Sequence, residues 1–106
     1  MTMQSTRADD FDEAIKALAS PVRRQILAWM KDPARNFPGQ DHPYDMGVCA
    51  GRIEARCGLS QSTVSAHLAV LQHAGLLTGK RVGQWVFYKR NEAALTAFLE
   101  HLEQSL

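Results

Sequence analysis

The run Cys57-Gly58-Leu59-Ser60 narrows the fold more than any other feature, because it stands between two short stretches of helical periodicity. Before it, Ala50, Ile53 and Cys57 recur at i, i+3 and i+7. After it, Val64, Leu68 and Leu71 form a second apolar stripe that ends at Gly75. Gly58 suits the left-handed position that closes a helix, and Ser60 offers a side-chain oxygen to cap the next one. Two helices joined by so tight a turn are a helix-turn-helix.

The flanks supply what such a motif packs against. Asp9, Asp10, Asp12 and Glu13 suit the positive end of a helix dipole, and Phe11, Ala14, Ile15 and Leu18 follow at helical spacing, so a first helix is expected near 9–19. Ser20 as cap and Pro21 at the first helical position start a second, with Val22, Ile26, Trp29 and Met30 on one side, lasting to about Lys31. Asp32 to Asp45 holds Pro33, Pro38, Gly39 and Pro43 without periodicity and reads as a long loop. From Leu76 to Arg90 the chain turns to β-branched and aromatic residues around Gly79 and Gly83, the pattern of a two-stranded hairpin with a basic tip. Leu95, Phe98, Leu99, Leu102 and Leu106 then mark a last helix near 92–106. The expected fold is a mostly α single domain over 1–106, with five helices and a two-stranded hairpin.

The 106 residues fit one domain, and 45% hydrophobic with 22% charged residues is ordinary for a globular chain. No stretch approaches a membrane span, and Met1 to Asp10 lacks the order of a signal peptide, so the expected compartment is the cytoplasm, with Cys49 and Cys57 as free thiols. An enzyme would need a nucleophile matched to a base, or a glycine-rich phosphate loop; neither is present, and no cofactor is expected.

The net charge of +1 conceals a segregation. Between Ala55 and Asn91 there is no acid, while Arg56, Lys80, Arg81, Lys89 and Arg90 are all there. An acid-free third of the chain is what a phosphate-facing surface requires. On the helix after the turn, Gln61, Ser62, Thr63, Ser65 and His67 cluster in the first two turns, where short donors and acceptors reach base edges or phosphates in a major groove. A plain solvated helix is the competing reading, and it is weakened by the lack of Glu–Lys pairs on that face. Lys80 and Arg81 in the hairpin are placed to follow flanking phosphates or the minor groove as a wing.

In these blocks the chain resembles the ArsR/SmtB family of winged helix-turn-helix repressors. The resemblance runs from about Phe11 to the end and rests on three segments. They are Ala17-Leu18-Ala19-Ser20-Pro21-Val22-Arg23-Arg24-Gln25-Ile26-Leu27, then Leu59-Ser60-Gln61-Ser62-Thr63-Val64-Ser65-Ala66-His67-Leu68, and Gly75-Leu76-Leu77 leading to Arg81-Val82-Gly83-Gln84-Trp85-Val86-Phe87-Tyr88. It implies a homodimer built from the first and last helices, double-stranded operator DNA as partner, and release from DNA on an inducing signal. It carries over Gln61, Ser62, Thr63, Ser65 and His67 as DNA-facing positions, with Arg81 in the wing. Gln84 stands where the family pattern has a basic wing residue, which implies a weaker phosphate grip.

The metal sites of that family do not carry over. The Cys-Val-Cys-Asp pattern meets Cys49-Ala50-Gly51-Arg52, and the Asp-x-His with His-x-x-Glu pattern meets Tyr88, Arg90, His101 and Gln104, of which only His101 fits. Asp41, His42, Asp45 and Cys49 remain a chemically suitable zinc set, against the simpler reading of a solvated loop. No metal site is therefore expected, and the expected signal is oxidation or electrophile modification of a thiol. Cys49 falls at the N-cap of the helix before the turn, where orphan amides favour a thiolate, and Cys57 shares that helix's apolar face. Two further functions stay open, a metal-responsive repressor and a winged-helix protein-interaction module.

Overall fold

The computed structural model describes residues 2–106, with side chains from Asp10 onward, so Met1 and the Asp9 side chain lie outside the described residues. Helix α1 spans Thr2–Ala17 and has no acid in its first turn. It therefore begins well before the acidic cluster expected to start it; Met3, Gln4, Arg7 and Ala8 are good helix formers, and propensity carries the helix back past Asp9. Its far end stops at Ala17, two residues short of Ala19. The next helix supplies the caps there, because Arg23 Nε donates to the Ala17 carbonyl at 2.6 Å and Arg24 Nη1 to Leu18 at 2.7 Å.

Helix α2, Pro21–Trp29, starts as expected, with Ser20 Oγ accepting from the Arg23 amide. It ends before Lys31, where Asn36 Nδ2 donates to the Trp29 carbonyl at 2.8 Å. The stretch expected as one loop is not structureless. Pro33 opens a one-turn helix, α3, Pro33–Asn36, and Tyr44–Met46 form a 3₁₀ turn. A proline read as a breaker here acts as a starter, since its missing N–H is an orphan at the first helical position anyway. The stretch is also anchored: Phe37 is fully buried with its ring edge-on to Trp29, and the Tyr44 hydroxyl donates to the Phe37 carbonyl.

After that turn comes a strand the sequence did not reveal, β1, Val48–Cys49, followed by α4, Ala50–Cys57, and α5, Gln61–His73. Strands β2, Leu77–Val82, and β3, Trp85–Arg90, form the hairpin around a two-residue turn in which Gly83 has φ +62°. The sheet order is β1-β3-β2, all antiparallel, with Val48 opposite Tyr88 and Cys49 opposite Phe87. The two-stranded hairpin is thus a three-stranded sheet, and β1 covers part of the edge that β3 would otherwise leave open. Helix α6, Glu92–Ser105, closes the chain, making six helices among the described residues rather than five.

Ile26, Ile53, Val64, Leu68, Leu71, Leu76 and Leu77 form the centre of one core, to which α2, α4, α5 and the sheet each contribute. Asn91 ties its two ends together. Its Nδ2 donates to Gly75 past the end of α5, its amide donates to Leu76, and its Oδ1 caps α6 by accepting from Ala94. Among the described residues no helix is long and apolar enough to cross a membrane.

Candidate nucleic-acid interface

Helix α4 ends in Gly58 at φ +67° and ψ +22°, the left-handed cap expected from the sequence, and α5 begins on Ser60. Ser60 Oγ accepts from the Thr63 amide at 3.3 Å and donates to the Thr63 hydroxyl at 2.8 Å, with Ser62 Oγ 3.3 Å away. Val64, Leu68 and Leu71 are buried, so the remaining faces of α5 look outward. Gln61, Ser62, Thr63 and Ser65 are all exposed there, as the sequence suggested. They are not equivalent. Thr63 and Ser62 share their hydroxyls with the cap, while Gln61 and Ser65 have no side-chain partner among the described residues.

His67 differs from its neighbours. It is half-buried, and its Nδ1 lies 3.0 Å from Arg23 Nη1. Arg23 was not expected at this site; it sits in the motif after Ser20-Pro21, and nothing in its spacing announces a partner on α5.

The acid-free surface divides once geometry is known. Arg90 is a staple rather than a free cation, since it pairs with Glu92 at 2.8 Å and donates to the Leu27 carbonyl at 2.9 Å. Arg56 lies over the Trp29 ring, 4.8 Å from its centroid. Lys80, Arg81 and Lys89 are exposed and form no ion pair among the described residues. Thr78 stands opposite Lys89, Lys80 opposite Phe87 and Arg81 opposite Val86. By strand alternation Lys80 and Lys89 share one face of the wing and Arg81 takes the other, so the basic tip splits in two. The wing is set close against α5: a Cβ on Gly79 would lie 3.1 Å from both Gln72 Nε2 and Tyr88 Cε1.

The two thiols have different surroundings. Cys49 has the N-cap backbone conformation of α4, but its side chain makes no cap hydrogen bond. Its amide donates to Gln40 Oε1 at 2.8 Å, while Gln40 Nε2 donates to the His42 and Gly47 carbonyls, stitching the loop to β1. Cys49, Asp41, His42, Arg52 and Trp85 line an open cavity of about 270 Å³. Cys57 packs against the core from the far end of α4, and burial pushes its thiol above the ordinary range. Both are free. The loop set considered for zinc does not assemble: among the described residues no three His, Cys, Asp or Glu side chains group as a metal site, and the His42 ring packs 5.0 Å from Phe87.

Helices α1 and α6 meet through Phe11, whose ring lies 5.4 Å from Phe98 and 4.1 Å from His101. Ile15 and Leu99 remain outside that contact, 43% and 60% exposed.

A family model described as bacterial regulatory protein, arsR family, matches residues 48–78, from β1 through the start of the wing. The chain is 37% identical over 97 residues to the uncharacterized HTH-type transcriptional regulator YbzH of Bacillus subtilis, covering 89% of this chain and 96% of that protein. It is 30% identical to the transcriptional repressor SdpR of the same organism, covering 79% of each. In three dimensions it is similar to the homodimeric winged helix-turn-helix DNA-binding domain Mb0332 of Mycobacterium bovis, with a TM-score of 0.65 over 96% of this chain and 83% of that one. At 23% identity the last likeness shows the fold.

Proposed function

The chain belongs to the arsR family of bacterial regulatory proteins, winged helix-turn-helix regulators of transcription, and from that premise we propose that it is a homodimeric repressor that reads operator DNA with α5. The observation that carries the reading is the outward face of α5. Gln61, Ser62, Thr63 and Ser65 stand exposed in its first turns, next to a wing whose Lys80 and Arg81 have no acidic partner among the described residues. Short neutral donors in the groove specify bases, and free cations beside them hold phosphates. Symmetric association through Ile15 and Leu99 supports the dimer, because it would cover apolar surface on both helices that one protomer leaves in water.

Gel shifts with fragments of the promoter region upstream of its own gene test this reading. The parent binds an inverted repeat whose half-sites lie about one helical turn, ~34 Å, apart. Arg81→Ala weakens operator and random DNA alike and lowers the slope of log affinity against log salt by about 0.9 for the phosphate lost. A slope unchanged by Arg81→Ala contradicts the wing assignment. Transcription from that promoter in the presence of the protein separates a repressor from an activator.

For the signal, we propose Cys49 rather than a reversibly bound metal. Cys49 is the last residue of β1 and the N-cap position of α4, with Phe87 of the wing strand opposite it, so an added group there presses on the helix-turn-helix and the wing together. With hydrogen peroxide, the thiolate sulfur attacks one oxygen, the O–O bond breaks, sulfenic acid forms, and the leaving hydroxide takes a proton from solvent to become water. Cys57, at the other end of α4 and pushed toward the thiol form, is the poorer nucleophile. Peroxide releases the parent from operator and leaves Cys49→Ser bound; release that persists in Cys49→Ser overturns the assignment.

A further inference from the structure

Arg23 makes contacts that reach three helices. Its amide is capped by Ser20 at the start of α2, its Nε and Nη2 donate to the Ala17 and Lys16 carbonyls at the end of α1, and its Nη1 meets His67 Nδ1 on α5 at 3.0 Å. A guanidinium only donates, so Nδ1 must be the acceptor. An imidazole that accepts at Nδ1 and is neutral carries its proton on Nε2. Among the described residues His67 Nε2 has no hydrogen-bond partner, and since no unpartnered side-chain nitrogen or oxygen is buried, this nitrogen is not sealed from solvent.

We propose that Arg23 is a positioning residue for operator binding, holding His67 as the Nε2–H tautomer so that α5 presents a fixed imidazole donor to a DNA phosphate oxygen. The proposal rests on the reading of α5 as the DNA-contacting helix. A free imidazole divides its proton between two nitrogens and turns about its side-chain bonds; the Arg23 contact removes both freedoms before DNA arrives. It also joins the donor to the last turn of α1, so that a movement of that helix is transmitted to the contact through one side chain.

Two measurements on the full chain test it. In free protein, imidazole nitrogen NMR at neutral pH shows His67 as the Nε2–H tautomer, Arg23→Lys retains that preference in part, and Arg23→Met gives a mixture. In operator binding, His67→Gln places an amide near the Nε2 position and binds within about threefold of the parent, whereas His67→Asn, which reaches only the Nδ1 position, loses about tenfold or more. Arg23→Met loses about tenfold in the parent and no more than about twofold when added to His67→Gln. If Arg23→Met fails to fold, the parent tautomer and the Gln–Asn comparison still decide the matter. An Nδ1–H or charged His67 in the parent overturns the proposal, as do equal affinities for His67→Gln and His67→Asn. Were the parent to bind no DNA, the reading of α5 would fall, while the tautomer measurement would still stand as the separate test of what Arg23 does.

Discussion

Ser60 closes the turn and shapes the surface beside it, because one hydroxyl caps α5 through the Thr63 amide and also occupies the Thr63 side chain. Ser60→Ala should cost about 1 kcal/mol of stability and lower the thermal midpoint by roughly 4–8 °C, measured by circular dichroism. An unchanged midpoint would mean that the cap is carried by something else. Arg90 and Arg56 teach a different lesson about single residues. Both belong to the acid-free run, yet one is spent on Glu92 and Leu27 and the other on the Trp29 ring, partners that linear charge counting does not show. Cys57 offers a pH test. Burial raises its thiol pKa, so at any pH near neutrality it holds less thiolate than the same cysteine in the unfolded chain. Its alkylation in native protein should therefore be slower than in urea, with the rate rising at higher pH than for an unfolded thiol; equal native and unfolded profiles would contradict this.

Where the sequence was legible, an element announced itself by periodicity and by a cap. Ser20-Pro21, Gly58-Leu59-Ser60 and Gly75 each mark a helix boundary found within a residue or two, and Gly83 marks the hairpin turn. The features that escaped were too short or too distant for either signal. Strand β1 has two residues, too few to show a period of two, and exists because β3 lies beside it. Helix α3 is a single turn held by Phe37 in the core and Asn36 on Trp29. On the outward face of α5, the exposure of Gln61 and Ser65 could be read from the chain, but the Arg23–His67 contact joins residues 44 apart and no spacing rule reaches it. Gly47 tests whether β1 matters. It has φ +109°, and a Cβ there would fall 2.8 Å from the Tyr88 carbonyl oxygen, a backbone atom that cannot turn aside. Gly47→Ala should destabilise the protein by about 2 kcal/mol, combining left-handed strain with displacement of β1 from β3. Urea unfolding measures it, and a loss below about 0.5 kcal/mol would show that the strand moves freely.

At the scale of the molecule, the surfaces proposed to read DNA and to pair protomers lie on different helices. Leu99 projects from α6 at 60% exposure while Phe98 beside it packs on Phe11 of the same chain, so Leu99→Glu is the cleaner probe of association. Sedimentation should find the parent a dimer at micromolar concentration and Leu99→Glu a monomer with an unchanged circular dichroism spectrum; a monomeric parent would contradict the dimer. Among the described residues, Asn91 hydrogen-bonds from the N-cap of α6 to Gly75 behind the end of α5, and Arg23 joins the end of α1 to His67 near the middle of α5. The central claim is that α5 reads DNA sequence, and one measurement meets it directly: equilibrium binding of the parent, Gln61→Ala and Ser65→Ala to an operator fragment and to a scrambled fragment of equal length, at a single salt concentration. Each substitution should cost about 1–3 kcal/mol on the operator and little on the scrambled DNA. Operator affinities equal to the parent's for both variants would contradict the claim.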